Sequence, residues 1–234
     1  MPVGDHLQEL RWRITAYLAT LVGGVVIGFA FADQLLGLLN RPLQGRFEVV
    51  TLSVTEPFFT TLTVAAFASF AATFPLLVWH AYQYLAPALP PDRRRIVRNG
   101  ALVVPGLFYA GVAFCYLVVL GPAVRFLLGL GDGRFEVQVR AGDYYSFVTL
   151  TMVALGIGFL YPLVLVVLGR VGVIDSSWLR RNRRYAVLVI AFLTALLLPT
   201  IDPVSLLLEM IPLLLLYELS ILLLARQERR HPPG

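Results

Sequence analysis

Long uncharged runs alternate with short arginine-bearing segments along the whole chain. Residues 14–32, 57–91, 99–124 and 144–169 contain no Asp, Glu or Arg, and 203–225 contains only Glu209 and Glu218. Each run is close to or longer than the roughly 20 apolar residues that carry a helix across a hydrocarbon core about 30 Å thick. A further apolar run, Tyr185 to Leu198, has 14 residues, or about 21 Å of helix. It is shorter than that core, so either the bilayer thins around it or its end lies below the surface. The pattern predicts an all-α, polytopic membrane protein forming a single integral domain over 1–234. Its six transmembrane helices fall near 14–38, 57–84, 99–125, 144–169, 185–198 and 203–224, the last two short.

Arginine placement orients these spans. Fourteen of the 19 arginines lie in one set of loops and at the termini, among them Arg11, Arg13, the 93–98 cluster and the 180–184 cluster; four lie in the opposite loops. Cytoplasmic segments carry the excess of positive charge, so both termini are expected to be cytoplasmic. Ala30-Phe31-Ala32 resembles a signal-peptide cleavage site. However, the apolar run before it is long for such a peptide and acids precede it, so the first helix reads as retained.

Composition supports the membrane reading. Of the 234 residues, 58% are hydrophobic and 14% charged, with a mean hydropathy of +0.78. A soluble domain carries about 25% charged residues. A single cysteine, Cys115, excludes an intrachain disulfide. The net charge of +5 is a topology signal, and no nucleic-acid motif accompanies it. Pro75, Pro105, Pro162 and Pro212 interrupt the spans and predict bends, hence a curved wall. Gly23-Gly24 and Gly156-x-Gly158 permit close helix contact. Segments 47–52 and 135–139 alternate in polarity, as short strands or interfacial chain would.

Catalysis is poorly supported. His6, His80 and His231 do not lie at metal-ligand spacing, and no phosphate loop, HExxH or GxSxG occurs. The protein reads as neither an enzyme nor a holder of cofactor or metal. The acids carry more information. Glu9 lies four residues before Arg13 and can pair with it on one helix face. Asp92 precedes Arg93-Arg94-Arg95, either as a helix-terminal partner or as a carboxylate for an incoming cation. Glu209 lies inside the last span, where a carboxylate marks a candidate site; Glu218, nearer the cytoplasmic end, can pair with Arg226. A secondary transporter of small solutes is the alternative reading. It would call for an internal repeat and a midplane polar site, and neither is evident.

An ordered series of motifs resembles the TatC family of the twin-arginine protein translocase. It consists of His6-Leu7-x-Glu9-Leu10-Arg11-x-Arg13, Glu56-Pro57-Phe58, Ala86-Pro87-Ala88-Leu89, Phe108-x-x-Gly111-x-x-Phe114-x-Tyr116, Tyr144-x-x-Phe147, Trp178-Leu179-Arg180-Arg181 and Pro199-x-x-Asp202. The resemblance covers residues 5–225. It implies a cupped, glove-like wall of six helices in the bacterial cytoplasmic membrane. It also implies a non-catalytic receptor that binds twin-arginine signal peptides of folded precursor proteins. That receptor assembles as a homo- or hetero-oligomer with single-span partners of the TatA and TatB type, and transport draws on the proton-motive force. Carried over residue by residue, the resemblance gives Glu9 and Asp92, with Arg11 and Arg13, as the signal-peptide site. Pro42, Pro57, Pro87, Tyr116 and Phe147 become structural motif positions. Apart from the resemblance, the short last two spans and their in-membrane polar group make the region of Thr194, Pro199, Asp202 and Glu209 the expected docking edge for partner helices. Two guanidinium groups are best matched by carboxylates, which agrees with the first assignment. The sequence departs from the family where a Phe-Glu-x-Pro acid in span four is replaced by Leu160, where His80 stands for a Gln, and where Glu209 occupies an ordinarily apolar position. Glu209 is expected to restore polarity missing at Leu160.

Overall fold

The computed structural model describes residues 3–43, 49–88, 90–129, 138–171, 173–197 and 203–230. Among the described residues, five helical segments are long and apolar enough to cross a membrane: Leu7–Ala30, Glu56–Leu85, Val97–Gly129, Ala141–Gly169 and Leu206–Glu228. They belong to α1 (Val3–Ala30), α3 (Glu56–Leu85), α4 with α5 (Pro91–Phe114, Leu120–Gly129), α6 with α7 (Ala141–Gly158, Tyr161–Val171) and α10 (Pro203–Arg230). The remaining elements are α2 (Ala32–Asn40), α8 (Ser176–Arg181), α9 (Arg183–Leu197) and two-residue strands β1 (Val49–Val50) and β2 (Val139–Arg140). The 15 residues of α9 give about 22 Å of helix, less than a full crossing. The region read as one span over 14–38 is two helices, because the chain turns at Phe31, whose N–H reaches both Ile27 and Gly28.

The chain divides into two compact units. The first comprises Met1–Gly106 with Glu136–Thr149, the second Leu107–Phe135 with Leu150–Gly234. In the first, α1 lies along α3. A Cβ on Gly24 would meet the Ser69 hydroxyl, and one on Gly28 would lie 3.1 Å from the Ala65 carbonyl. Small residues thus bring the two helices together, and Ser69 donates to the Leu21 carbonyl at 2.7 Å. Of the Gly23-Gly24 pair, only Gly24 makes the close approach. The alternating segments pair as a parallel ladder, Val49 with Val139 and Val50 with Arg140. Tyr144 ties α6 to the end of α2 by donating to the Leu39 carbonyl at 2.8 Å.

In the second unit, Pro162 sits in the first turn of α7, after a break at Phe159-Leu160. Proline lacks the N–H that a continuous helix would need there, and Leu163 and Val164 resume bonding to the Leu160 carbonyl. A π turn, Cys115–Val119, joins α4 to α5, with the Leu120 N–H reaching back to the Cys115 carbonyl. Its core includes Leu179, Ile190, Met210, Tyr217, Ile221 and Leu224. Tyr217 donates to the Leu179 carbonyl at 2.7 Å, which fixes α8 against α10. Asp175 caps α8 through the Trp178 N–H, and the hydroxyl of Ser177 and that N–H hold its carboxyl below the usual carboxylate range.

Gly111 gives a direct test of helix approach in this unit. A Cβ there would lie 2.6 Å from the Leu155 carbonyl oxygen and 2.9 Å from Gly156 Cα, whereas nothing stands within 4 Å of one on Gly23. Gly111→Ala is expected to cost about 1–3 kcal/mol, and Gly23→Ala to leave stability unchanged. Unfolding midpoints of the two variants in detergent measure this.

Candidate functional site

Glu9 and Arg13 share one face of α1 because four residues separate them. Arg13 donates from Nε at 3.0 Å and from Nη2 at 2.6 Å, both to Glu9 Oε1. Its Nη1 donates to Gln83 Oε1 near the end of α3 at 2.5 Å. Both side chains are mostly covered, with Arg13 16% exposed and Glu9 29%. The guanidinium therefore holds one carboxylate oxygen, while Oε2 has no hydrogen bond among the described residues. Arg11 lies exposed on the same helix. Asp92 belongs to the first turn of α4, but its side chain lies outside the described residues.

Beside this network the two helices leave a cavity of about 430 Å3 lined by Leu10, Ile14 and Leu18 from α1 and Leu77, His80 and Leu85 from α3. His80 Nδ1 is buried and makes no hydrogen bond among the described residues.

A second cluster forms at the opposite end of α3. Glu56 Oε2 accepts from the Leu52 N–H at 2.9 Å. Its Oε1 accepts from the Gly142 N–H at 2.9 Å and from Arg140 Nε at 3.0 Å. Glu56-Pro57-Phe58 stands out in the sequence without partners for the acid; Leu52 is local, whereas Arg140 of β2 and Gly142 of α6 are more than eighty positions away. Pro57 follows Glu56 in the first turn, where a missing N–H costs nothing.

The other designated residues are dispersed. Thr194 is buried and donates to the Ile190 carbonyl at 2.8 Å. Glu209 is buried in α10, three residues before Pro212. Pro199 and Asp202 lie outside the described residues. Pro42 is buried in the 3-10 turn Arg41–Leu43, Pro87 is exposed in the turn Ala86–Ala88, Tyr116 lies in the π turn and Phe147 is buried in α6. Glu218 pairs with Arg183 at 2.7 Å, not with Arg226 as the spacing had suggested.

The fold and its polar clusters define a multi-pass helical membrane protein whose charged groups gather at helix ends. Residues 5–212 match the family described as Sec-independent protein translocase protein (TatC). The chain is similar to the TatC proteins of Carboxydothermus hydrogenoformans and Aquifex aeolicus. Identity to the first is 33% over 94% of this chain and 91% of the relative; to the second it is 34% over 95% and 94%. It is also similar to a solved structure of the twin-arginine translocase receptor TatC in DDM. The TM-score is 0.81 at 34% identity, covering 94% of this chain and 99% of the other. The chain belongs to the TatC family, and it is a core subunit of the twin-arginine translocation system.

The Glu56 cluster can be tested by itself. An amide offers one acceptor oxygen where the carboxylate offers two, so Glu56→Gln turns an N–H donor toward other donors. The substitution is expected to lower the thermal unfolding midpoint by about 3–6 °C, whereas Ser53→Ala leaves it in place.

Proposed function

We propose that this protein receives twin-arginine signal peptides of folded precursors on the cytoplasmic side of the bacterial cytoplasmic membrane. Six spans with both termini cytoplasmic complete the topology; α9 is the short fifth span. Orientation rests on the arginine distribution, and the six-span count on the apolar run at Tyr185 to Leu198.

The observation that carries the reading is the state of Glu9. Arg13, itself held by Gln83, engages only Oε1. A carboxylate held in one rotamer with an oxygen still open is preorganised for an incoming guanidinium, because little side-chain freedom remains to be lost. Asp92 supplies the second carboxylate, one methylene shorter than the family's usual Glu. Arg13 keeps Oε1 while the incoming guanidinium takes the open Oε2, and Arg11 adds positive charge on the same helix. The site has no reacting group, and binding followed by assembly with TatA- and TatB-type single-span helices is the activity; the proton-motive force drives transport. Thr194 and Glu209, with Pro199 and Asp202, form the edge assigned to partner helices, and Glu209 supplies polarity in place of Leu160.

Two experiments test these assignments. Capture of a twin-arginine peptide should fall at least tenfold in Glu9→Ala with Asp92→Ala, as loss of charged hydrogen bonds implies; unchanged capture by the double variant overturns the site. Glu209→Leu should reduce export of a folded twin-arginine reporter while peptide capture is retained. Export equal to that of the parent protein removes Glu209 from the partner edge.

A further inference from the structure

The cluster around Glu56 borders a cavity of about 310 Å3, lined among others by Thr60, Thr63, Arg140, Asp143 and Ser146. That is the size at which pockets for small ligands begin. Its depth follows from α3. The 30 residues of that helix span about 45 Å, the thickness of a bilayer including both headgroup layers. Gln83, which binds Arg13, marks one end; Glu56 marks the other, about 40 Å away. The cavity therefore lies at headgroup level on the membrane face opposite Glu9 and Arg13. Phe58 and Phe59 are exposed beside it, as aromatic residues at a membrane–water interface are.

The groups left over inside it are of two signs. Glu56 is fully engaged and serves to hold Arg140 through Nε. The Arg140 Nη atoms make no hydrogen bond among the described residues, and the side chain is 45% exposed. Asp143, in the first turn of α6, likewise has no partner among them. Thr60 is only 6% exposed, yet its hydroxyl is buried without a hydrogen bond. An unpaired buried hydroxyl costs free energy unless a ligand or water supplies the bond. Around it an arginine and a carboxylate of opposite charge line the same space.

We infer that this cavity binds the headgroup of an amine-bearing phospholipid in the adjacent leaflet. The phosphodiester lies on the Arg140 Nη fork, which matches two phosphate oxygens, and the primary ammonium lies on Asp143 and the neighbouring hydroxyls. A choline headgroup has no N–H to donate there, and a glycerol headgroup has no positive charge. The acyl chains run into the bilayer past Phe58 and Phe59. This site is independent of signal-peptide recognition, and its readout does not involve transport.

The test uses the full chain in nanodiscs of equimolar phosphatidylethanolamine, phosphatidylcholine and phosphatidylglycerol with identical acyl chains. Native mass spectrometry then counts the lipids retained. The protein should keep phosphatidylethanolamine about tenfold over the other two. Asp143→Asn, an exposed position, should reduce that preference about threefold or more, and Arg140→Gln should reduce retention of all three lipids. Equal retention of the three lipids, or a preference unchanged in both variants, overturns the proposal. Complete displacement of the lipid by an equal concentration of glycerophosphoethanolamine overturns the lipid assignment in favour of a free phosphodiester.

Discussion

Water is absent from the hydrocarbon layer, so every N–H, carbonyl and hydroxyl at that depth must find its partner within the chain. Most of the described hydroxyls obey this constraint, with Thr60 and Thr151 as exceptions. Hydroxyls turn back onto their own helices: Thr61, Thr63, Thr73, Thr149, Thr194 and Ser220 each donate to the carbonyl four residues earlier. Where a helix breaks, as at Phe31 and at Phe159-Leu160, neighbouring carbonyls accept the displaced N–H groups within the same turn. Charged side chains gather near helix ends, and those at Glu9 and Glu56 are held by donors already fixed in place.

The two ends of α3 solve the same problem differently. At Glu56 both oxygens are occupied and two are served by backbone N–H groups, so the carboxylate acts as a strut between the start of α3 and the start of α6. At Glu9 one guanidinium serves a single oxygen. An acid that is completely coordinated holds the fold together, whereas one that is half coordinated retains capacity for a ligand. The same residue type is thus fully coordinated in one place and half coordinated in another, according to the number of donors the chain supplies.

Much of this was legible in the sequence. The uncharged runs mark the five long helices, because a lipid solvent tolerates little else, and the spacing of Glu9 and Arg13 reports their pairing, because helix periodicity is local. What the sequence did not reveal is long-range. Gln83 is 70 positions from Arg13 and two of the three donors to Glu56 are 84 and 86 positions away, so no periodicity connects them. Glu218 found Arg183 on another helix in place of an arginine on its own. The turn at Phe31 falls where the uncharged run ends, just before Asp33 and Gln34, but the leucines at 35–39 extend the apolar pattern beyond it, so the span was read on to residue 38. Within the alternating segments the described residues include the short strands at Val49–Val50 and Val139, although the parallel register of β1 and β2 depends on how α3 and α6 bring them together.

The π turn at Cys115–Val119 has a geometric effect on everything beyond it. Buried positions up to and within it fall at Phe108, Gly111, Cys115 and Val119, and those after it at Leu120, Ala123 and Val124. Each stripe keeps helical spacing, but the second is out of phase with the first by one residue. In an unbroken α-helix that slip would swing the second stripe about 100° around the axis, away from the core. The wider turn absorbs the additional residue, so two stripes of different phase lie along one line. The turn is therefore a frame correction, by which a span carrying one residue too many keeps a single buried side.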